Sequence, residues 1–220
     1  MSPTPVRLVL ASASPARLKV LRAAGAAPLV SVSQVDEDAV LEGLAPGVPH
    51  EDAVAALARA KAEDVATRIL ADDPLPGRAV VIGCDSMLSI GGELVGKPLT
   101  PEVAAERWRA MRGGTGTLLT GHCAILVEDG REAGSAAGTR ATELRFGAPS
   151  DAEIDAYVGT EEPLQVAGAF TLDGAGGWFI EGIDGDPSSV IGISLPLTRS
   201  LLAELGVDVV AVWAGASRTS

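Results

Sequence analysis

"RLVLASASPARLKVLRAAG", Arg7 to Gly25, changes its period halfway along, and that change decides the fold. Val6 to Ala11 is an apolar run suited to a buried strand, whereas Pro15 to Ala24 sets Leu18, Leu21 and Arg22 at helical spacing before Gly25 ends it. A strand that runs straight into a helix is a β-α unit. The junction between them, Ser12-x-Ser14-Pro15, has two readings. Ser14 as N-cap with Pro15 in the first helical position satisfies the rules for a helix start without any ligand. Hydroxyls, free N–H groups and the positive end of a helix dipole also make an anion site, to which Arg17 would add a forked pair of donors for phosphate oxygens.

The rest of the chain repeats this interleaving. "PLVSVSQVDED" (28–38) reads as a second strand running into the acids Asp36, Glu37 and Asp38, and 51–70 as a helix with Arg59 and Lys61 near its middle. "RAVVIGCDSMLSI" (78–90) is an apolar strand that turns through Gly91-Gly92 as a hairpin, and 101–111 is a helix. Two strands joined at Asp129-Gly130 fill 117–146, followed by a helix over 151–158, a glycine-rich 167–187, and a last helix over 195–205. This order predicts an α/β fold, a mixed twisted sheet with flanking helices. No internal repeat or long linker divides the chain, so 1–220 is expected to form one domain, with 215–220 as a frayed tail.

Composition narrows the function. With 47% apolar residues the chain can bury a core, while a net charge of −12 and 3% aromatics argue against nucleic-acid or anionic-membrane partners. Any phosphate must therefore be held by local groups. Cys84 and Cys123 have neither Cys-x-x-Cys spacing nor a His-rich frame for zinc, which leaves a reducing cytoplasm as the expected location. The opening "MSPTPVRLVLAS" lacks a charged n-region, and no segment reaches the roughly 20 apolar residues of a membrane span.

Asp85 is the residue that most demands an explanation, because a carboxylate inside an apolar strand is costly unless paired, hydrogen-bonded or bound to metal. Glu37 is a possible partner, and two acids with no histidine suit a hard cation such as Mg²⁺ that also takes substrate phosphate oxygens. Asp36 to Asp38 alone would read as a solvated turn. Gly91 to Lys97 matches G-x-x-x-x-G-K, but Pro98 stands where a P-loop needs Ser or Thr, and the glycines lie in a hairpin. Lys97 remains a cation carried on a loop, and Lys61 a cation on a helix; the plain reading of each is a solvated side chain. A serine-hydrolase triad finds no support, since His50 and His122 have no evident orienting acid and no G-x-S-x-G occurs. The glycine-rich segment could wrap a base or ribose, with Trp178 and Phe179 read as core.

Taken in order, "LASASPAR", "VDED", "ARAKA", "CDSML" with "GKP", "LLTGH", "EEPLQVAGAFTLDG" and "VIGISLPL" resemble the Maf family of nucleoside triphosphate pyrophosphatases across nearly the whole chain. The resemblance implies two lobes around a central cleft, as in inosine-triphosphate pyrophosphatases. It also implies divalent-metal-dependent hydrolysis, with Mg²⁺ or Mn²⁺, of a nucleoside triphosphate to monophosphate and pyrophosphate. Asp85 then corresponds to the catalytic proton acceptor and Glu37 to its metal or water partner. Ser12, Ser14 and Arg17 correspond to the phosphate-binding start, and Lys61 and Lys97 to lysines near the polyphosphate. The implied cellular role is house-cleaning of the nucleotide pool with a link to division arrest, and the implied assembly a homodimer.

Three positions depart from the family pattern: Ala16 replaces an arginine, Ser86 a threonine and Asp173 the glutamine of an I-Q-G motif. These are the positions linked to base preference, so the nucleobase stays open. Asp173 could accept hydrogen bonds from a base or bind metal. The changes also raise an alternative, a nucleotide-sensing protein with little turnover. A metal-dependent phosphomonoesterase is a third reading.

Overall fold

A computed structural model describes residues 6–71 and 77–213. The chain order is β1 (Arg7–Leu10), α1 (Pro15–Ala23), β2 (Leu29–Val30), α2 (Glu37–Glu42), α3 (His50–Ala71), β3 (Arg78–Ile90), β4 (Glu93–Val95) and α4 (Pro101–Met111). It continues through β5 (Thr115–Glu128), β6 (Arg131–Phe146), α5 (Asp151–Val158), β7 (Ile180–Asp184), α6 (Pro187–Ile191) and α7 (Leu195–Glu204). Among the described residues these seven strands form one sheet in the order β2-β1-β3-β5-β6-β7, with β4 paired to the far end of β3. β1 is parallel to both neighbours, while β3, β5 and β6 are long antiparallel partners. The expected mixed α/β sheet is therefore present; the tail at 215–220 lies outside the described residues.

Side chains alternate across the sheet and so sort the core by residue parity. Leu8, Leu10, Val80, Ile82, Cys84, Ala124 and Leu126 pack with Leu21 of α1 and Leu201 and Leu202 of α7. Val9, Val81, Cys123, Ile125 and Val127 face the other way, onto Ala58, Ala62, Val65 and Ala66 of α3. Further along, Leu88, Leu118, Leu144 and Phe146 meet Trp108 of α4 and Ile154 and Tyr157 of α5. Among the described residues no helix is long and apolar enough to cross a membrane.

α3 lies unusually close to the sheet. A Cβ at Gly83 would stand 2.2 Å from the Ala58 carbonyl oxygen, and one at Gly121 would stand 2.2 Å from that of Val54. Glycine in β3 and β5 and alanine on α3 together allow this approach, which brings Lys61 down beside β3.

Two expectations are corrected. The second strand is only Leu29–Val30, because after Ser31 the backbone bonds to side chains instead of a neighbouring strand. Asp64 accepts the Gln34 N–H at 3.0 Å, and Arg68 donates to the Val32 carbonyl at 2.7 Å. Trp178 is not core but 88% exposed. It lies on a single 3-10 turn, and Phe179 is the residue that points inward, edge-on to Trp108 and Tyr157 at 5.5 and 5.8 Å.

Candidate active site

Adjacent residues of one strand face opposite sides, and the site uses both. Asp85 points to α3, where its Oδ1 receives a hydrogen bond from Lys61 Nζ at 2.6 Å. Lys61 Nζ also meets Glu37 Oε1 at 2.8 Å. The Lys61 and Asp85 side chains are about nine-tenths buried (9% and 10% exposed), and Glu37 is half-exposed. Of the three clustered acids only Glu37 joins this group; Asp36 caps α2 by accepting the Ala39 N–H at 3.0 Å, and Asp38 is exposed. Partial burial pushes the Glu37 carboxyl up, but bonding to Lys61 and the charges of Lys61, Lys97 and Arg17 outweigh it and hold the group below its ordinary range.

Ser86 points to the other face and completes a polar chain. Arg17 Nη2 donates to Ser86 Oγ at 3.3 Å, Ser86 Oγ lies 3.0 Å from Thr120 Oγ1, and Thr120 donates to the Ser189 carbonyl at 3.2 Å. Thr120 has one hydroxyl proton and spends it on Ser189, so Ser86 is the donor to Thr120. Arg17 is further fixed by Nε to the Gly192 carbonyl at 2.8 Å and by Nη1 to Ser12 Oγ at 3.0 Å. Ser12 also accepts the Ser14 N–H at 3.2 Å, and Ser14 caps α1 by accepting the Arg17 N–H at 3.4 Å. Capping and site-building thus share the same residues at the junction.

Lys97 reaches the site from the turn after β4. Gly91 and Gly92 both have positive φ, 60° and 83°, as a two-residue hairpin requires, which excludes the P-loop reading. The lysine-bearing turn is fastened by Arg107 donating to the Gly96 carbonyl at 2.6 Å, and by the Leu99 N–H donating to Leu164 at 3.0 Å. Asp173, on the rim, is paired with Lys19 of α1 at 2.8 Å.

One cavity of about 420 Å³ is lined by Ser12, Ser14, Ala16, Arg17, Lys61, Asp85, Ser86, Lys97 and Asp173, among others. Glu37 enters the group through its bond to Lys61. The residues singled out in sequence are therefore brought together. What sequence reasoning missed are the partners: Lys19, Thr120 and the Gly192 carbonyl. Each is distant in the chain from the residue it holds and carries no local signal.

His50 and His122 lie apart from this chemistry. His50 Nδ1 is 2.8 Å from Ser89 Oγ, but no carboxylate bonds its other nitrogen among the described residues. His122 is buried in β5; its Nε2 accepts the Ser194 N–H at 2.8 Å, so Nδ1, 3.0 Å from the Thr120 carbonyl, carries the proton. Burial pushes this imidazole down to about 4, against the bond to Thr120, which pulls it up. The unfolded chain, near 6.5, takes up a proton that the native state refuses, so stability present above pH 6.5 is lost as pH falls toward 4. Thermal unfolding between pH 7 and about 4.5 is expected to show this decline, and His122→Gln to flatten it. An equal slope in both proteins would contradict the assignment.

Among the described residues no group of three or more His, Cys, Asp or Glu could hold a metal ion. Glu37 and Asp85, however, converge on one cation, Lys61 Nζ. Two hard oxygen donors suit Mg²⁺ or Mn²⁺ when substrate phosphates supply further ligands, as Mg²⁺ sites commonly require. The donor set fits a metal shared with substrate and not an all-protein cage.

The structure is thus an α/β protein with a mixed sheet, whose cavity gathers Arg17, Lys61, Lys97 and Asp85 beside the start of α1, with Glu37 bonded to Lys61, an arrangement suited to a polyanion. The family model for Maf-like protein matches residues 7–205, and the chain belongs to that family. It is 61% identical over 209 residues to a nucleoside triphosphate pyrophosphatase of Saccharopolyspora erythraea, covering 94% of this chain and 97% of that one. Proteins with the same name from Rhodococcus jostii and Mycobacterium ulcerans are 57% and 52% identical, each covering 97% of the relative and 96% and 94% of this chain.

Proposed function

We propose that this protein hydrolyses nucleoside triphosphates to nucleoside monophosphates and pyrophosphate. The observation that carries this reading is the convergence of Asp85, Lys61, Arg17 and Lys97 on one cavity, in a chain whose close relatives bear that name. Water attacks the α-phosphorus, the bridging bond to the β-phosphate breaks, and Asp85 accepts the proton of the water. Asp85 Oδ1 is taken by Lys61, while Oδ2 receives no protein hydrogen bond among the described residues and is the oxygen available to water.

Arg17, Lys61 and Lys97 balance the charge of the polyphosphate and of the leaving pyrophosphate. Ser12 and Ser14 present the start of α1 to it. Glu37 and Asp85 would hold Mg²⁺ or Mn²⁺, which when bound neutralises phosphate charge. The nucleoside then extends toward Ala16, Leu172 and Asp173 on the cavity wall. The buried free cysteines accord with a cytoplasmic enzyme that clears unwanted nucleotides from the pool.

The test is a panel of canonical and methylated nucleoside triphosphates with Mg²⁺ or Mn²⁺ and identified products. Pyrophosphate plus monophosphate is expected. Tight binding without turnover would replace this reading by nucleotide sensing, and release of orthophosphate alone would point to a phosphomonoesterase.

A further inference from the structure

Glu162 lies outside the cavity lining, yet the wall of the cavity is folded around it. It follows Glu161, whose φ of 63° turns the chain, and it opens the 3-10 turn Glu162–Gln165. Its carboxylate is treated by the protein as a bound anion. Thr171 Oγ1 donates to Oε1, the Gly176 N–H donates to Oε1 at 3.0 Å, and the Ala175 N–H donates to Oε2 at 3.0 Å. Partial burial pushes the carboxyl up, but these bonds prevail and hold it below its ordinary value.

The loop that supplies these donors cannot close on the carboxylate with larger residues. A Cβ on Gly174 would stand 2.7 Å from Glu162 Oε2, and one on Gly176 would stand 2.5 Å from the Tyr157 hydroxyl. The opposite side of the same loop faces the cavity through Thr171, Leu172 and Asp173. The loop is also held by the Tyr157 hydroxyl, which accepts the Thr171 N–H at 3.3 Å, and by the exposed Lys19–Asp173 pair to α1, 2.8 Å long, and such surface pairs contribute little.

We propose that Glu162 is a positioning residue for nucleoside recognition: without touching substrate, it holds the Thr171–Gly176 loop in the shape that forms the nucleoside end of the site. This rests on the orientation of substrate given above. A residue that merely stabilised the protein would affect the phosphate and nucleoside ends alike, whereas Glu162 is tied to one end only.

Glu162→Gln keeps the shape but loses the charge and turns an N–H₂ toward backbone donors. Calorimetry would compare its binding of inorganic pyrophosphate with its binding of AMP, GMP, CMP, UMP and dTMP in Mg²⁺ buffer. For the monophosphate that wild type binds tightest, Kd is expected to rise about 10-fold, with pyrophosphate unchanged within about 2-fold. Thr171→Ala, which removes one donor, should shift the same Kd in the same direction by less, and serves as the readout if Glu162→Gln does not fold. Unchanged monophosphate binding, or equal losses for both ligands, would overturn the inference while leaving the proposed hydrolysis standing. If wild type bound neither ligand, the functional reading would fail first and the inference with it.

Discussion

Asp85→Asn is expected to cut pyrophosphate release by about 1,000-fold, within the usual range for losing a positioned general base. The amide oxygen can still accept from Lys61, which also keeps its bond to Glu37, so the ammonium is not left alone in the interior. That matters because a buried ammonium without a partner destabilises a protein by several kcal/mol, whereas an isosteric amide avoids most of this cost. The expected pattern is therefore an enzyme that folds, binds nucleotide and does not turn it over. Lys61→Met should behave differently, since it leaves Asp85 and Glu37 facing each other without a cation and lowers stability as well as rate. Steady-state pyrophosphate release, read with thermal unfolding, separates the two. Retention of more than about a tenth of wild-type activity by Asp85→Asn would remove this carboxylate from its assigned role.

The contrast between these variants reflects which parts of the site were legible in sequence. Asp85 stood out because it interrupts an apolar strand, and the Ser12 to Arg17 junction because a strand period gives way there to a helix start. Both are local signals. The helices over 101–111, 151–158 and 195–205 were equally readable from their own local patterns, and the structure caps them with Thr100, Ser150 and Ser194 as it caps α1 with Ser14. What holds these residues in place was not readable. Arg17 is anchored on Gly192 and Asp173 on Lys19, across 175 and 154 residues, and neither pairing leaves a periodicity behind. Trp178 was misread for a related reason: in a single 3-10 turn no repeat indicates which of two adjacent aromatics turns inward. β2 shortened because side chains of α3 took over its backbone partners, a competition decided only in three dimensions.

The least conspicuous residues carry the second large effect. Gly83 and Gly121 have ordinary strand conformations, so no positive φ requires glycine, and only the proximity of α3 does. Alanine at either position would put its methyl carbon 2.2 Å from a helix carbonyl oxygen, well inside van der Waals contact, and backbone cannot swing away as a flexible side chain can. The helix must lift or the sheet must bend. Overpacking of this kind costs about 1–3 kcal/mol and occasionally more, and for a chain of this length each kcal/mol lowers Tm by roughly 2–4 °C. A drop of about 5–10 °C is expected for Gly83→Ala and for Gly121→Ala. Gly134→Ala is the control, because its nearest neighbour would be the Leu205 methyl at 3.4 Å, an ordinary contact. Activity should fall in the first two beyond what instability explains at low temperature, since lifting α3 draws Lys61 Nζ away from Asp85 and Glu37. A Tm within about 1 °C of wild type for Gly121→Ala would mean that the helix has room to spare, and the close approach of α3 would no longer account for where Lys61 sits.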